Sequence, residues 1–220
     1  MQMEKIALIT GASRGIGRAV AERLIDNGIH VIAVARTVGA LEELDDYARG
    51  KGSRITIVPL DVTEFSKIDE LGFNLFQKFG RLDIFVGNAG ILGGCYPLGH
   101  FSPAIWQKVI DVNLTANWRF IRSLDPLLRQ SSAGKVILVT SSIVKTCDAY
   151  YGAYAASKAG LEAMAKVYEN EIKHTNIMVS LVTPENVKTR LRSEAFPVQT
   201  ETGLKEPYEI AYMFEQLIEA

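Results

Sequence analysis

Tyr154 and Lys158 stand four residues apart in "YAASKAGLEAM", inside a stretch with helical periodicity. On a helix, residues i and i+4 share a face, one turn apart. An ammonium beside a phenol favours the phenolate, so this spacing predicts a Tyr154 pKa lowered toward the working range and a tyrosine that serves as general acid and base. The helix offers small neighbours, Ala155, Ala156, Ala159 and Gly160, that let other groups come close. Just upstream, "KVILVTSS" ends an apolar run with Ser141 and Ser142. Hydroxyls at the carboxyl end of a parallel strand lie where such sheets bind ligands, and one of them can donate to a carbonyl oxygen. A lone Y-x-x-x-K pair or a lone serine is common, so these residues gain meaning from the elements around them.

The second constellation is "TGASRGIG", directly after the apolar run "IALIT" and opening into a helical pattern. Gly11 suits a tight strand-to-helix turn, and Gly15 and Gly17 remove Cβ atoms where backbone must approach closely. The N–H groups of the following helix point at that spot and attract an anion, above all a pyrophosphate. The spacing is G-x-x-x-G-x-G rather than G-x-G-x-x-G. A site for NAD carries a carboxylate at the end of the second strand to bind the ribose 2′-hydroxyl. Here "HVIAVAR" ends in Arg36, with no carboxylate before Glu42. Arg36 and Arg14 can grip a 2′-phosphate with planar, charge-assisted hydrogen bonds, so NADP(H) is expected in preference to NAD(H).

The elements that must hold these groups alternate. Apolar runs at 6–10, 30–35, 54–60, 82–87, 135–140 and 177–183 predict strands buried on both faces. Amphipathic stretches at 15–27, 38–50, 64–79, 103–130, 152–174 and 206–219 predict helices. Gly28 and Gly80 sit at helix ends, and Pro126 predicts a bend or restart inside 103–130. Repeated β-α units imply an α/β fold: one Rossmann-type doubly wound parallel sheet with helices on both faces, in a single domain over 1–220. A net charge of −1 gives no argument for nucleic acid or membrane partners. Cys95 and Cys147 read as free thiols of a reducing compartment, "MQMEKIALIT" reads as a strand rather than a signal peptide, and no stretch approaches a membrane span. A cytoplasmic protein is expected. His30, His100 and His174 are scattered and form no cluster with the cysteines, so no metal site is expected. His100 and Cys95 lie in a loop expected to border the substrate space, with Tyr150 and Tyr151 as walls.

Taken together these residues resemble the short-chain dehydrogenase/reductase family. The resemblance spans nearly the whole chain and rests on "TGASRGIG" (10–17), Asp61–Val62, "NAG" (88–90), "VNL" (112–114), "TSS" (140–142), "YAASK" (154–158) and "TPENVKT" (183–189). It implies an NADP(H)-dependent oxidoreductase, similar to a 3-oxoacyl-carrier-protein reductase, acting on a small-molecule ketone, aldehyde or alcohol. Tyr154 would protonate the carbonyl, with Lys158 lowering its pKa and binding the nicotinamide ribose. Ser142 would polarise the carbonyl, and Asn113 would hold a bent helix and a water linked to Lys158. Around the cofactor would lie Gly11, Ser13, Arg14, Gly15, Ile16, Gly17, Arg36, Asp61, Val62, Asn88, Ala89, Gly90, Tyr154, Lys158, Pro184, Val187 and Thr189. A homodimer or homotetramer through the Tyr154 helix is likewise implied.

The chain departs from the family at four places. Gly87 replaces an asparagine, which is expected to loosen packing. Glu185 replaces a glycine near the expected nicotinamide. The interval from Ser142 to Tyr154 is one residue short, which keeps Ser141 in play as the hydroxyl. The family's last strand is absent after "EPYEIAYMFEQLIEA". Residues 191–207 read as a short mobile lid. Arg122 and Arg129 give only modest support for a carrier-protein thioester. Two competing readings are a nucleotide-sugar epimerase or dehydratase, and a non-enzymatic NADP(H)-binding regulator.

Overall fold

Successive residues of a strand face opposite layers, so a strand covered on both sides must be apolar throughout. The computed structural model describes residues 4–196, 198 and 203–220. In β1 (Ile6–Thr10), Ile6 and Leu8 enter one core layer and Ala7 and Ile9 the other. The same alternation divides β2 (His30–Ala35), β4 (Ile84–Gly87) and β5 (Gly134–Val139). With β3 (Thr56–Pro59) and β6 (Ile177–Val182) they form one parallel sheet in the order β3-β2-β1-β4-β5-β6. Among the described residues β3 and β6 are the edges, and both are only partly buried.

Helices α1 (Gly15–Asp26) and α2 (Val38–Gly50) cover one face, while α3 (Phe65–Phe79) covers the other. The second face is completed by α4 (Pro103–Ile110), α5 (Ala116–Leu128) and, after the single turn α6 (Ile143–Thr146), α7 (Gly152–Glu171). The short α8 (Arg190–Ala195) precedes α9 (Pro207–Glu219), which returns to the first face. There Glu215 accepts hydrogen bonds from Arg23 at 2.6 Å and Asn27 at 2.6 Å, fixing α9 to α1. Among the described residues no helix is long and apolar enough to cross a membrane.

The expected elements are present, with ends shifted by up to three residues; α7, for example, stops at Glu171 rather than 174. One expectation fails. The helix expected over 103–130 does not break at Pro126, which lies exposed in the last turn of α5. The interruption is a π turn, Asp111–Thr115, in which Ala116 N–H bonds the Asp111 carbonyl five residues back.

Sheet order puts the chain's reversal between β1 and β4. Open α/β sheets bind ligands at the carboxyl ends of such neighbouring strands. The opposite rim is held by Asp83, only 8% exposed, whose carboxylate accepts from Ile6 N–H at 2.8 Å and Ser131 Oγ at 2.7 Å. Removing it orphans a buried backbone donor. Asp83→Ala is therefore expected to lower unfolding free energy by about 2–3 kcal/mol in urea denaturation, far from the carboxyl-end crevice.

Candidate active site

At the strand reversal two loops cross with little space. Thr10 Oγ1 accepts from Asn88 N–H at 3.0 Å and Ala89 N–H at 3.1 Å, and Asn88 Nδ2 donates to the Thr10 carbonyl at 3.0 Å. Gly11 has φ +69°, and a Cβ there would lie 2.8 Å from Asn88 Nδ2. A Cβ on Gly17 would collide with the Gly11 carbonyl, so Gly17 serves the crossing itself rather than the cleft wall. Helix α1 opens with no side-chain cap and no acidic residue in its first turn, and Gly15 and Ile16 face a cleft of about 1540 Å³.

Of the residues expected around a cofactor, Gly11, Ser13, Arg14, Gly15, Ile16, Arg36, Asp61, Val62, Asn88, Ala89, Gly90, Tyr154, Lys158, Pro184, Val187 and Thr189 all line this cleft. Thr189, which caps α8, stands across from Gly15. Arg36 reaches Asp61 at 3.4 Å but remains largely exposed. Burial raises the Asp61 pKa, yet hydrogen bonds from the Thr63 backbone and hydroxyl, with Arg36, outweigh it and hold the carboxyl below its ordinary range. Glu185 lines the cleft with its side chain exposed.

Asn113 sits in the π turn and is fully buried. Its Oδ1 accepts from Ile91 N–H at 2.9 Å, and its Nδ2 donates to the Ile91 carbonyl and to Ser157 Oγ, each at 2.9 Å. Ser157 Oγ in turn donates to the Tyr154 carbonyl at 2.7 Å. Asn113 thus lies behind the cleft wall and fixes the first turns of α7. Gly160 of α7 faces Leu114 of the π turn, where a Cβ would come within 2.9 Å.

Tyr154 and Lys158 are 8% and 3% exposed on one side of α7. Lys158 Nζ donates to the Val139 carbonyl at 2.7 Å and lies 5.8 Å from the Tyr154 ring centroid. Burial, with no opposing charge, lowers the Lys158 pKa to about 8. The Tyr154 pKa is raised, not lowered as expected: burial dominates, and the Ser141 hydroxyl donating to the phenol oxygen offsets only part of it. The ammonium is spent on a carbonyl rather than on the phenol. The hydroxyl beside Tyr154 is that of Ser141; Ser142, three residues past the end of β5, is exposed at the start of α6 and lines the same cleft.

Beside Tyr154 an apolar cluster of Leu92, Ile143, Tyr151 and Leu191 lines part of the cleft. Tyr151 donates to the Ala195 carbonyl at 3.0 Å, tying α8 to this side of the cleft. Tyr150, at φ +77° and well exposed, does not line it, and neither do Cys95 or His100. Of the expected lid, Pro197 and residues 199–202 lie outside the described residues. Arg122 and Arg129 are ion-paired with Asp69 and Asp125 and do not reach the cleft. Gly87 does not loosen the packing: a Cβ there would strike Asn117 Oδ1 and come within 2.6 Å of Leu138. Among the buried polar residues to which the sequence reading gives no role are Thr10, Asn117 and Ser157. Thr10 follows an apolar run and could be suspected as a strand-end hydroxyl; for Asn117 only its spacing of four from Asn113 gives a hint.

Comparison with known proteins agrees with this geometry. Residues 5–199 match the model of the short chain dehydrogenase family. The chain is 32% identical over 214 residues to the uncharacterized oxidoreductase YciK of Escherichia coli, covering 96% of this chain and 84% of that protein. It is 35% identical over 187 residues to the 3-oxoacyl-[acyl-carrier-protein] reductase FabG of Salmonella typhimurium, covering 84% and 74%. A short chain dehydrogenase of Shigella flexneri crystallised with NADP superposes with a TM-score of 0.93 at 31% identity, covering 97% of this chain and 90% of that one. With the six-stranded sheet, the strand–glycine–helix turn and the paired Tyr154 and Lys158, these matches place the chain in the short-chain dehydrogenase/reductase family.

Proposed function

We propose that this protein, as one domain, is an NADP(H)-dependent reductase of ketones or aldehydes, with Tyr154 as the proton donor. The observation that carries the reading is the burial of Tyr154 and Lys158 on one face of α7, with the Ser141 hydroxyl on the phenol, beside a cleft that begins at an uncapped helix N-terminus. The cleft fits a dinucleotide. Gly15 brings bare backbone to its floor, the α1 N–H groups suit a pyrophosphate, and Arg14 and Arg36 stand where a 2′-phosphate would lie. The NADP-bound Shigella relative supports this choice. When bound, the coenzyme supplies the hydride.

The protein's own groups then divide the work. Ser141 and Tyr154 hold the carbonyl oxygen from two sides and polarise it. Tyr154, whose raised pKa keeps it protonated at neutral pH, gives its proton to that oxygen as charge develops. Lys158, charged below about pH 8, keeps its hydrogen bond to the Val139 carbonyl and, 5.8 Å from the Tyr154 ring, stabilises the phenolate left behind through its field rather than by a direct bond. Asn113 holds the turn that carries both. The apolar cluster beside Tyr154 suits a carbonyl compound with an apolar group next to the reacting carbon. Arg122 and Arg129, ion-paired with Asp69 and Asp125 and away from the cleft, give a carrier-protein thioester little specific support.

Tyr154→Phe should lower kcat for NADPH-dependent carbonyl reduction by about 10²–10⁴-fold with NADPH binding retained. Ser141→Ala should lower it by about 10²–10³-fold, whereas Ser142→Ala should stay near wild type. The reverse order between the serines would refute the assignment. Arg36→Asp should move preference from NADPH toward NADH in paired kcat/KM measurements, and unchanged selectivity would sink the arginine argument. The Lys158 pKa has a signed consequence. Between pH 8 and 10.5 the unfolded chain holds a proton that the folded protein lacks, so this group makes wild-type stability rise with pH across that window. Lys158→Met should remove that rise, add about 1–3 kcal/mol of stability at neutral pH in denaturant titrations, and abolish turnover.

A further inference from the structure

We propose that Asn117 is a positioning residue that clamps the π turn and thereby sets Asn113, Tyr154 and Lys158; its catalytic half rests on the reductase reading. Asn117 is 3% exposed in the first turn of α5, and its Nδ2 donates to the Asn113 carbonyl at 2.9 Å. A π turn carries one residue too many for the i+4 ladder, so its carbonyls lie out of the regular register. The Asn117 carboxamide supplies a donor to the carbonyl of the very residue whose side chain braces Ile91 and Ser157.

The other side of the carboxamide is equally constrained. Its Oδ1 lies against the backbone of Gly87 at the end of β4, where any Cβ would strike it. Leu138 of β5 closes the same space, 2.6 Å from that Cβ position. The clamp therefore packs the ends of β4 and β5 against the π turn, and Gly87 is what admits it. From the Asn113 carbonyl the chain of bonds runs through the Asn113 side chain to Ser157 Oγ, and from there to the Tyr154 carbonyl at 2.7 Å. Without the clamp the turn can relax toward α geometry. Such relaxation changes the register of the turn's carbonyls and so carries the Asn113 carboxamide away from Ile91.

The test uses Asn117→Leu, of similar size without a donor, and Asn117→Ser, too short to reach, so that one variant serves if the other does not fold. The first readout is amide hydrogen exchange at Ile91, whose N–H is held by Asn113 Oδ1. Exchange at Ile91 should accelerate at least tenfold relative to the β1 amides, and unchanged protection would overturn the clamp whatever the enzyme's substrate. The second readout is steady-state kinetics with a carbonyl compound that the wild type reduces. Expected is a fall in kcat of about 10- to 100-fold with KM for NADPH near wild type, the signature of displaced chemistry rather than lost binding. Asn113→Ala and Asn117→Leu should combine non-additively, the double variant being no worse than Asn113→Ala. Faster Ile91 exchange with unchanged kcat, or additive losses, would overturn the catalytic half. A wild type that reduces no carbonyl would fell the reductase reading, while the exchange result still decides the clamp.

Discussion

A lysine ammonium buried at the carboxyl edge of a parallel sheet must find its solvation inside the protein. Lys158 is 3% exposed, and among the described residues its hydrogen-bond partner is the Val139 carbonyl, with no carboxylate in an ion pair. Taking a charge out of water with one neutral acceptor is unfavourable, and it persists only where surrounding structure over-determines the position. Much of the architecture around the cleft reads as that over-determination. The π turn, the Asn113 bridge to Ile91 and Ser157, and the contact of Gly160 with Leu114 all fix the first half of α7.

The far half of α7 is anchored separately. Tyr168 donates to Asp125 of α5 at 2.8 Å, and burial together with that carboxylate drives its pKa upward, so the phenol stays neutral and the bond persists at any ordinary pH. The other wall of the cleft is tied down through α9: Glu215 grips Arg23 and Asn27 at the end of α1, which aims the opposite end of α1 into the crevice. A rigid anion-binding end and a rigid phenol–ammonium pair thus face each other across one cleft. Catalysis by hydride and proton transfer depends on such fixed spacing more than on any single strong bond.

Most of this architecture is legible in the sequence, for identifiable reasons. Strands covered on both faces must be continuous apolar runs, so β1, β2, β4 and β5 announce themselves, and Gly80 marks the end of α3 with a left-handed residue. Tyr154 and Lys158 share a face because i and i+4 always do. The features that escape depend on contacts distant in sequence or on single-residue register. The residue types of "DVNLT" do not distinguish a π turn from an α turn; only the family resemblance implied a bend at Asn113. Ser141 and Ser142 differ by one position at a strand end, and only the turn into α6 decides which hydroxyl meets the phenol. Gly87 reads as a loss of packing because the residue that fills its space, Asn117, belongs to another element. The direction of the Tyr154 shift is hidden because spacing reports a shared face but not which group the ammonium bonds, nor how deeply the phenol is buried.

The most direct measurement is an NMR titration of the Lys158 side chain in the coenzyme-free protein, with Lys158→Met as the assignment control. Loss of its proton near pH 8 would show an ammonium held in a dry site. Titration near 10.5, the value of a lysine in water, would mean that the group is solvated and that the arrangement described around it does not hold.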